Sequence, residues 1–264
     1  SKDRVTPRCP KARQCGGCQL QALSYEKQLE FKTSKVRGHL ERIGGFTDIP
    51  MEKILGMDQP FHYRNKAQFP VGKSKDGRII TGFYAGRTHS IIENRDCALG
   101  VTRNKEVLDR VIAHMEKFHI QPYDENTGKG LVRHVLIRYG FFTDEMMVCL
   151  IINGEKLPGE EALVKSLRQI PEAVSVMVNV NKKRNNVILG ETVRLLWGKP
   201  YITDKIGEIS YQISPLSFFQ VNPTQTEKLY NKALEYANLT GNETVWDLYC
   251  GIGTIGLFCA KSAK

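Results

Sequence analysis

Three cysteines within ten residues constrain this chain more than any other feature of its sequence. Cys9, Cys15 and Cys18 follow one another with five and two residues between them, and two glycines separate the last pair. Because glycine lets the backbone turn tightly, both sulfurs of that pair face one point. Such a group suits a tetrahedral zinc ion or an iron–sulfur cluster, with ordinary thiols or a disulfide as the alternative.

The spacing favours a cluster over zinc. Structural zinc sites usually have two close ligand pairs, and no second Cys-x-x-Cys is present. A close triplet with one remote ligand is typical of ferredoxin-like clusters, although their first spacing is four residues rather than five. Among the other cysteines, Cys149 and Cys259 lie in apolar stretches, and Cys250 lies beside a glycine loop. Cys97 lies in a polar loop and is therefore the best candidate for the fourth ligand.

The composition indicates a basic globular chain with a polyanionic partner. The 264 residues suffice for one large domain or two small ones, and the formal net charge is +10. This charge favours nucleic acid over a membrane, with a merely basic soluble protein as the alternative. We expect no membrane association, because no apolar run is long enough to span one and no signal peptide is recognisable. Seven cysteines with a metal-type triplet predict a reducing cytoplasm.

Hydrophobic periodicity predicts a strand-rich middle between helical ends. Ser24 caps a predicted helix that runs to about Ile43, with Leu29, Val36 and Leu40 on its buried face. The other predicted helices cover residues 102–119, 160–169, 223–237 and 255–260. The predicted strands cover residues 63–71, 78–84, 131–139, 146–153, 174–180, 187–189 and 244–249.

One face of the first predicted strand carries Arg64, Lys66 and Gln68, because alternate residues of a strand point to the same side. Two cations and an amide on this face predict contacts with RNA phosphates, with a solvated sheet face as the alternative. Arg133 and Arg138 point to opposite faces of a later strand, so at most one of them faces this ligand, and Arg133 is our candidate.

A glycine turn near the end of the sequence follows the predicted strand 244–249 and precedes a helix. Its form is Asp247-x-x-x-Gly251-x-Gly253-Thr254, and strand, turn and helix together predict the start of a Rossmann-like unit. A lone Gly-x-Gly is weak evidence, since it serves a nucleotide, a dinucleotide or no ligand at all.

Three motifs together resemble the RumA/RlmCD/TrmA family of RNA uracil-5-methyltransferases, specifically its iron–sulfur 23S rRNA branch. They are Cys9 with Cys15–Gln21 and Asp96-Cys97, then Ser217–Asn222, then Asp247–Thr254, in the family's order along nearly the whole chain. The resemblance implies that a 4Fe–4S cluster is bound by Cys9, Cys15, Cys18 and Cys97. It also implies that Phe218 stacks on the target base or the donor. The residues that it implies for S-adenosylmethionine are Gln220, Tyr249, Asp247, Gly251, Gly253 and Thr254.

The activity that this resemblance implies is S-adenosylmethionine-dependent C5 methylation of uridine in 23S rRNA. In the family, a cysteine thiolate adds to C6 of the uracil and a general base later removes the C5 proton. No residue up to Lys264 matches either group, so we expect both beyond it and expect this chain alone to be inactive. The alternatives are an iron–sulfur-stabilised RNA-binding module without catalysis, a radical S-adenosylmethionine enzyme and a zinc-dependent nucleic-acid binder.

We therefore expect an α+β or α/β chain with three regions. Residues 1–54 form the cluster loop and a linking helix, and residues 55–212 form a β-rich, antiparallel RNA-binding domain. Residues 213–264 form the start of a Rossmann-like methyltransferase domain. Ribosomal RNA is the expected partner, and no obligate protein partner is inferred.

Overall fold

The computed structural model describes residues 2–264, in which five helices and nine strands form. The helices are α1 (Tyr25–Arg42), α2 (Asn104–Lys117), α3 (Glu160–Leu167), α4 (Pro223–Ala237) and α5 (Thr254–Cys259). The strands are β1 (Lys66–Lys73), β2 (Ile79–Tyr84), β3 (Ile91–Glu93), β4 (Val132–Tyr139), β5 (Met146–Ile152), β6 (Ala173–Val180), β7 (Thr192–Gly198), β8 (Ile202–Ile206) and β9 (Ile209–Ile213). Within the same residues, no helix combines the length and hydrophobicity that a membrane crossing needs.

Seven strands form one sheet in the order β3-β2-β1-β4-β5-β6-β7, and β8 and β9 pair as a separate hairpin. Neighbouring strands are antiparallel except β5 and β6, which are parallel. A parallel pair needs a crossover connection, and α3 lies in the connection between these two strands. The prediction of a mixed fold with a large, mostly antiparallel sheet is confirmed.

The centre of the sheet is covered on both faces. Every residue of β5 is buried, and β4 is buried except at Tyr139. On one face the sheet packs against α2 and α3, which contribute Leu108, Met115 and Leu163. On the other face it packs against the β8–β9 hairpin and Phe219. A strand buried on both faces has a continuous apolar sequence, which explains why β5 shows no alternation.

Helix α1 begins and ends as predicted but is not buried. The Ser24 hydroxyl accepts a hydrogen bond from Lys27 N, and the Ile43 amide closes the last turn. The predicted buried face is wrong, because no residue of α1 is buried and Val36 is 52% exposed. The first turns of the helix provide its contact with the following segment, through a hydrogen bond from Met57 N to Tyr25 Oη.

Two predicted strands do not form. Residues 187–189 have no strand partner, because the Asn181 amide donates hydrogen bonds to the carbonyls of Val187 and Ile188. Residues 244–249 are irregular, and Trp246 is 80% exposed. A strand needs a neighbouring strand for its backbone groups, and residues 2–264 provide none at this place. The predicted start of a Rossmann-like unit therefore consists of α4, the glycine turn and α5, without a strand.

Candidate functional site

The structure brings the cysteine loop and the Cys97 loop together beside strand β2. The Gly16 amide donates a hydrogen bond to the carbonyl of Tyr84, the last residue of β2. Cys15, Cys18 and Cys97 line one pocket of about 410 Å³. Cys9 is buried and joins the same two loops, because its sulfur accepts a hydrogen bond from the side chain of Asn94.

Three of the four sulfurs accept hydrogen bonds from N–H groups. The donors are the Asn94 amide for Cys9 (3.8 Å), the Gly17 backbone for Cys15 (3.4 Å) and the Gln21 amide for Cys18 (3.3 Å). Such bonds favour the thiolate form, which is the form that binds metal.

Burial opposes this effect and raises the pKa of the Cys18 and Cys97 thiols. The neighbouring thiols raise the pKa of Cys18 further, and they include Cys97, Cys15 and Cys9, so all four groups lie within electrostatic range of one another. All seven cysteines in the described residues are free, so no disulfide competes for these sulfurs.

The cysteines are not arranged around a single metal ion. Among residues 2–264, no three His, Cys, Asp or Glu side chains are placed so that they hold one ion. Four sulfurs on one zinc ion lie about 4 Å apart, since each Zn–S bond is about 2.3 Å. The four thiols are therefore neighbours in the structure, but no three of them converge on one point.

The predicted RNA face lies in the same pocket as the cysteines. Arg64, Lys66 and Gln68 all line it. Burial lowers the pKa of Lys66, and the positive charges of Arg138 and Arg64 lower it further. Neither Arg64 nor Lys66 forms an ion pair within residues 2–264. Two closely spaced cations without acidic partners are suited to binding an anion.

Arg133 has a different environment from these residues. It is 5% exposed, and its Nη1 donates hydrogen bonds to the carbonyls of Asn181 and Lys183. Its guanidinium also lies 4.4 Å from the centre of the Tyr123 ring. Arg133 therefore holds the basic turn 182–184. Among the atoms of its own side chain, Nε is the one that is buried and has no hydrogen-bond partner.

Two polar residues, Asn65 just before β1 and Arg138 in β4, hold the loop between β9 and α4. Asn65 donates from its side chain to the Gln220 carbonyl (2.9 Å) and from its backbone to the Val221 carbonyl (3.0 Å). Arg138 Nη2 donates to the carbonyls of Pro215 (3.3 Å) and Ser217. The sequence contains no local signal for either contact, because the partners lie at least 77 residues away along the chain.

This anchoring exposes Phe218 to solvent. Phe218 is 71% exposed, whereas its neighbour Phe219 is 3% exposed and packs against Tyr211. Phe218 is therefore not a core aromatic. Since Asn65 lies between Arg64 and Lys66, the same segment of chain carries the cationic face and anchors the loop with Phe218 and Gln220.

The predicted donor-binding residues of the glycine turn surround the start of α5. Asp247 Oδ2 accepts a hydrogen bond from Gly256 N (2.8 Å), and the Thr254 hydroxyl lies 2.9 Å from that of Tyr230. Gly251 and Gly253 have φ values of +60° and +75°, which glycine adopts without strain. Tyr249 also has a positive φ, and its side chain is fully exposed to solvent.

Comparisons with known proteins agree on one class of enzyme. No protein-family model matches the chain. All of the chain aligns at 49% identity with an uncharacterized RNA methyltransferase of Halalkalibacterium halodurans, and at 47% with one of Clostridium tetani. The chain covers 58% and 57% of those two proteins, so it spans little more than half of their length.

A solved structure shows the same fold. It is the tRNA (uracil-54, C5)-methyltransferase of Pyrococcus abyssi in complex with S-adenosyl-L-homocysteine. The TM-score is 0.74 at 29% identity, over 96% of this chain and 57% of that one. The chain is thus related along its length to RNA methyltransferases and shares the fold of a uracil-C5 methyltransferase over the matched part.

Proposed function

We propose that this chain provides the RNA-binding part, and some of the methyl-donor-binding part, of an S-adenosylmethionine-dependent enzyme that methylates C5 of uridine. The proposal rests on the full-length similarity to RNA methyltransferases and on the fold shared with the tRNA (uracil-54, C5)-methyltransferase. The observation that carries it is the double contact of Asn65 with the 220–221 backbone, between the two cations of the proposed RNA face.

In this proposal, the residues of the chain bind and orient the reactants. Arg64 and Lys66 bind phosphates, and Phe218 offers an exposed ring to the target base. Gln220, with the turn residues Tyr249, Asp247, Gly251, Gly253 and Thr254, binds the donor. S-adenosylmethionine supplies the methyl group when it is bound. We place the nucleophilic cysteine and the general base beyond Lys264, in the additional length that the relatives have.

We also propose that Cys9, Cys15, Cys18 and Cys97 hold a 4Fe–4S cluster with a structural role. Support comes from the pocket that Cys15, Cys18 and Cys97 share, the four free thiols, and the N–H donors to the sulfurs of Cys9, Cys15 and Cys18. Because four cysteines leave no open position on the metal, the group would join the two loops rather than react. The joined loops form one wall of the pocket that Arg64 and Lys66 line.

Ribosomal 23S RNA is the substrate that we favour, because the cysteine motif resembles the iron–sulfur branch that acts on it. The solved relative acts on tRNA, so tRNA is the competing substrate. An RNA-binding module without catalysis is the second candidate function. One observation favours it. Arg64, Lys66 and Gln68 line one pocket together, whereas Tyr249, a proposed donor-binding residue, faces solvent.

The test is a methyl-transfer assay on a protein of the relatives' full length that contains this chain, with labelled S-adenosylmethionine. 23S rRNA and tRNA transcripts are offered separately, and the modified position is identified by mass spectrometry. We expect 5-methyluridine in 23S rRNA and a loss of at least tenfold with Arg64→Ala, about the value of one charged hydrogen bond. The matched control is Lys165→Ala on α3. Product in tRNA alone would correct the substrate, and RNA binding without any product would favour the second candidate.

The cluster is tested separately on anaerobically purified chain. We expect iron and acid-labile sulfide, visible absorption, and loss of both in Cys97→Ser, whereas Cys250→Ser on the exposed turn keeps them. Stoichiometric zinc without sulfide would overturn the cluster proposal, as would a Cys97→Ser variant that retains all its iron.

A further inference from the structure

A second cleft of the described residues lies next to the proposed RNA face but is not part of it. It has a volume of about 1030 Å³ and lies between the β1–β2 hairpin and the loop 121–130. Pockets for small ligands are about 300 to 1,000 Å³, so this cleft is at the upper end of that range.

Two residues form the wall between the cleft and the cysteine-lined pocket. Tyr84 and His134 line both cavities, and their side chains approach each other to 3.4 Å between Tyr84 Oη and His134 Nε2. An extended ligand that occupies the Arg64 and Lys66 pocket therefore reaches the cleft by passing over one pair of side chains. This arrangement suits a polymer better than a small molecule.

The cleft offers a stacking surface. The rings of Tyr84 and His89 stack with their centres 4.9 Å apart and an angle of 18° between their planes. Glu125 holds His89 in place through a contact of 2.5 Å to Nδ1, while the His89 side chain is 55% exposed. An ordered aromatic ring with one open face is what unpaired bases stack on in single-stranded nucleic acid.

The charges of the cleft favour a polyanion. Lys73, Lys75 and Lys129 line it and form no ion pair within residues 2–264. Its acidic residues already have partners, since Glu93 pairs with Arg95, and Glu125 with His89. Asp124 accepts hydrogen bonds from the loop residues Asn126 and Thr127. The three lysines without ion pairs therefore outnumber Asp124, the one carboxylate of the cleft without an ion pair among the described residues.

Two buried polar atoms at the cleft also have no partner. Arg133 and His134 both line it and are each 5% exposed. Arg133 Nε and His134 Nδ1 form no hydrogen bond in the structure. These two groups therefore add polar character to the wall of the cleft.

We propose that this cleft binds a single-stranded RNA segment adjacent to the nucleotide held at the Arg64 and Lys66 face, with one base stacked on His89. The inference rests on the proposed function, because it takes RNA as the ligand. It adds a second contact site, which extends recognition beyond the target nucleotide and accounts for the unpaired lysines and the stacked His89 ring together.

The test measures binding of fluorescein-labelled oligouridylates to the intact 264-residue chain by anisotropy. A short probe of about 4 nucleotides fills one site, and a long probe of about 12 reaches both. We expect the long probe to bind more tightly than the short one. His89→Ala removes that advantage, with a loss of roughly fivefold to a hundredfold for the long probe and little change for the short one.

Two further variants make the result specific. His89→Phe keeps an aromatic surface and should retain the advantage of the long probe. Lys129→Ala should reduce the dependence of the affinity on salt by about 0.7 in logarithmic slope, as one lost phosphate contact does in a single strand. Lys165→Ala, on α3, is the matched control and should leave both affinity and slope unchanged.

The outcomes separate this inference from the proposed function. Equal affinities of wild type, His89→Ala and Lys129→Ala for the long probe would overturn the cleft proposal and leave the Arg64 and Lys66 face standing. Loss of short-probe binding in Arg64→Ala would support that face independently. If neither probe binds the wild-type chain, the cleft proposal and the RNA-binding part of the proposed function both fail.

Discussion

Arg138 is a buried side chain that fixes the position of the loop between β9 and α4. It lies on β4, opposite Lys66 of β1, and is 2% exposed. Burial lowers the pKa of its guanidinium to about 10. Its hydrogen bonds go to the backbone of residues 215 and 217, which lead to Phe218 and Gln220. A costly buried cation thus anchors the loop that carries proposed ligand contacts.

We predict that Arg138→Met loosens this loop more than it destabilises the fold. Arg138 forms no ion pair within residues 2–264, so its removal leaves no buried carboxylate uncompensated, and an apolar side chain avoids the cost of burying a charge. The loop, however, loses bonds to a charged donor, each about 1.5 to 3 kcal/mol. Hydrogen exchange of residues 216–221 should therefore accelerate roughly tenfold or more, while exchange in β5 stays slow. Unchanged exchange in the loop would show that Asn65 alone holds it.

His134 provides a pH dependence of stability. Burial, assisted by the charge of Arg133, lowers the pKa of its imidazole to about 4 from the ordinary 6.5. Glu125 acts in the opposite direction and His89 in the same direction as Arg133. Between these two pKa values the unfolded chain binds more protons than the folded chain, so folding stability falls as the pH decreases from 6.5 to 4.

We predict that His134→Gln removes up to about 3 kcal/mol of this pH dependence. Urea unfolding at a series of pH values measures it as the slope of the unfolding free energy against pH. His39→Gln, at an exposed position of α1, serves as control and should keep the wild-type slope. A wild-type slope in His134→Gln would mean that other groups carry the acid sensitivity.

At the scale of elements, strand β7 ends where its backbone lies very close to the backbone of β6. Gly198 ends β7 with φ +83°, and a Cβ at this position would lie 1.9 Å from the Val174 carbonyl oxygen. Gly38 lies inside α1, and a Cβ there meets no atom within 4 Å. The two glycines are therefore present for different reasons, and only the first is required by packing.

We predict opposite effects when each glycine is replaced by alanine. Gly198→Ala should destabilise the fold by about 2 kcal/mol or more, because backbone atoms must move and a positive φ is strained. Gly38→Ala should raise the helicity of α1 and gain about 0.5 to 1 kcal/mol within it. Circular dichroism and urea unfolding measure both effects. An unaffected Gly198→Ala variant would contradict the close approach at the end of β7.

At the scale of the whole molecule, the buried residues are concentrated in the central strands of the sheet and the layers that cover them. Strands β4, β5 and β6 lie between two apolar layers, whereas residues 241–251 form no strand or helix and are mostly exposed. Apolar side chains such as Trp246 and Leu248 are exposed in that segment, although they form the kind of run that predicts a buried strand.

We predict that hydrogen exchange divides the chain accordingly. Amides of β4 to β6 should exchange only through global unfolding, because their bonds lie inside the covered sheet. Amides of residues 241–251 should exchange within the shortest labelling time. Mass spectrometry of peptic fragments resolves the two classes. Protection of the 241–251 amides equal to that of β5 would show that this segment is ordered in solution.

The sequence by itself determined the local features and the list of reactive residues. The capped start of α1, the buried stripe of α2 and the apolar runs of β4 and β5 follow from residue spacing, because short-range geometry repeats every 3.6 or 2 residues. The cysteine motif and the glycine turn were visible for the same reason.

Only the tertiary structure decided which of these features meet. The Cys97 loop reaches the cysteine triplet, Asn65 holds the backbone of a loop 155 residues later, and Tyr84 separates two cavities. It also decided that α1 and residues 244–249 stay exposed, although both carry apolar runs. A side chain is buried only if residues from distant parts of the chain pack against it, and the spacing of residues within one segment does not determine whether they do.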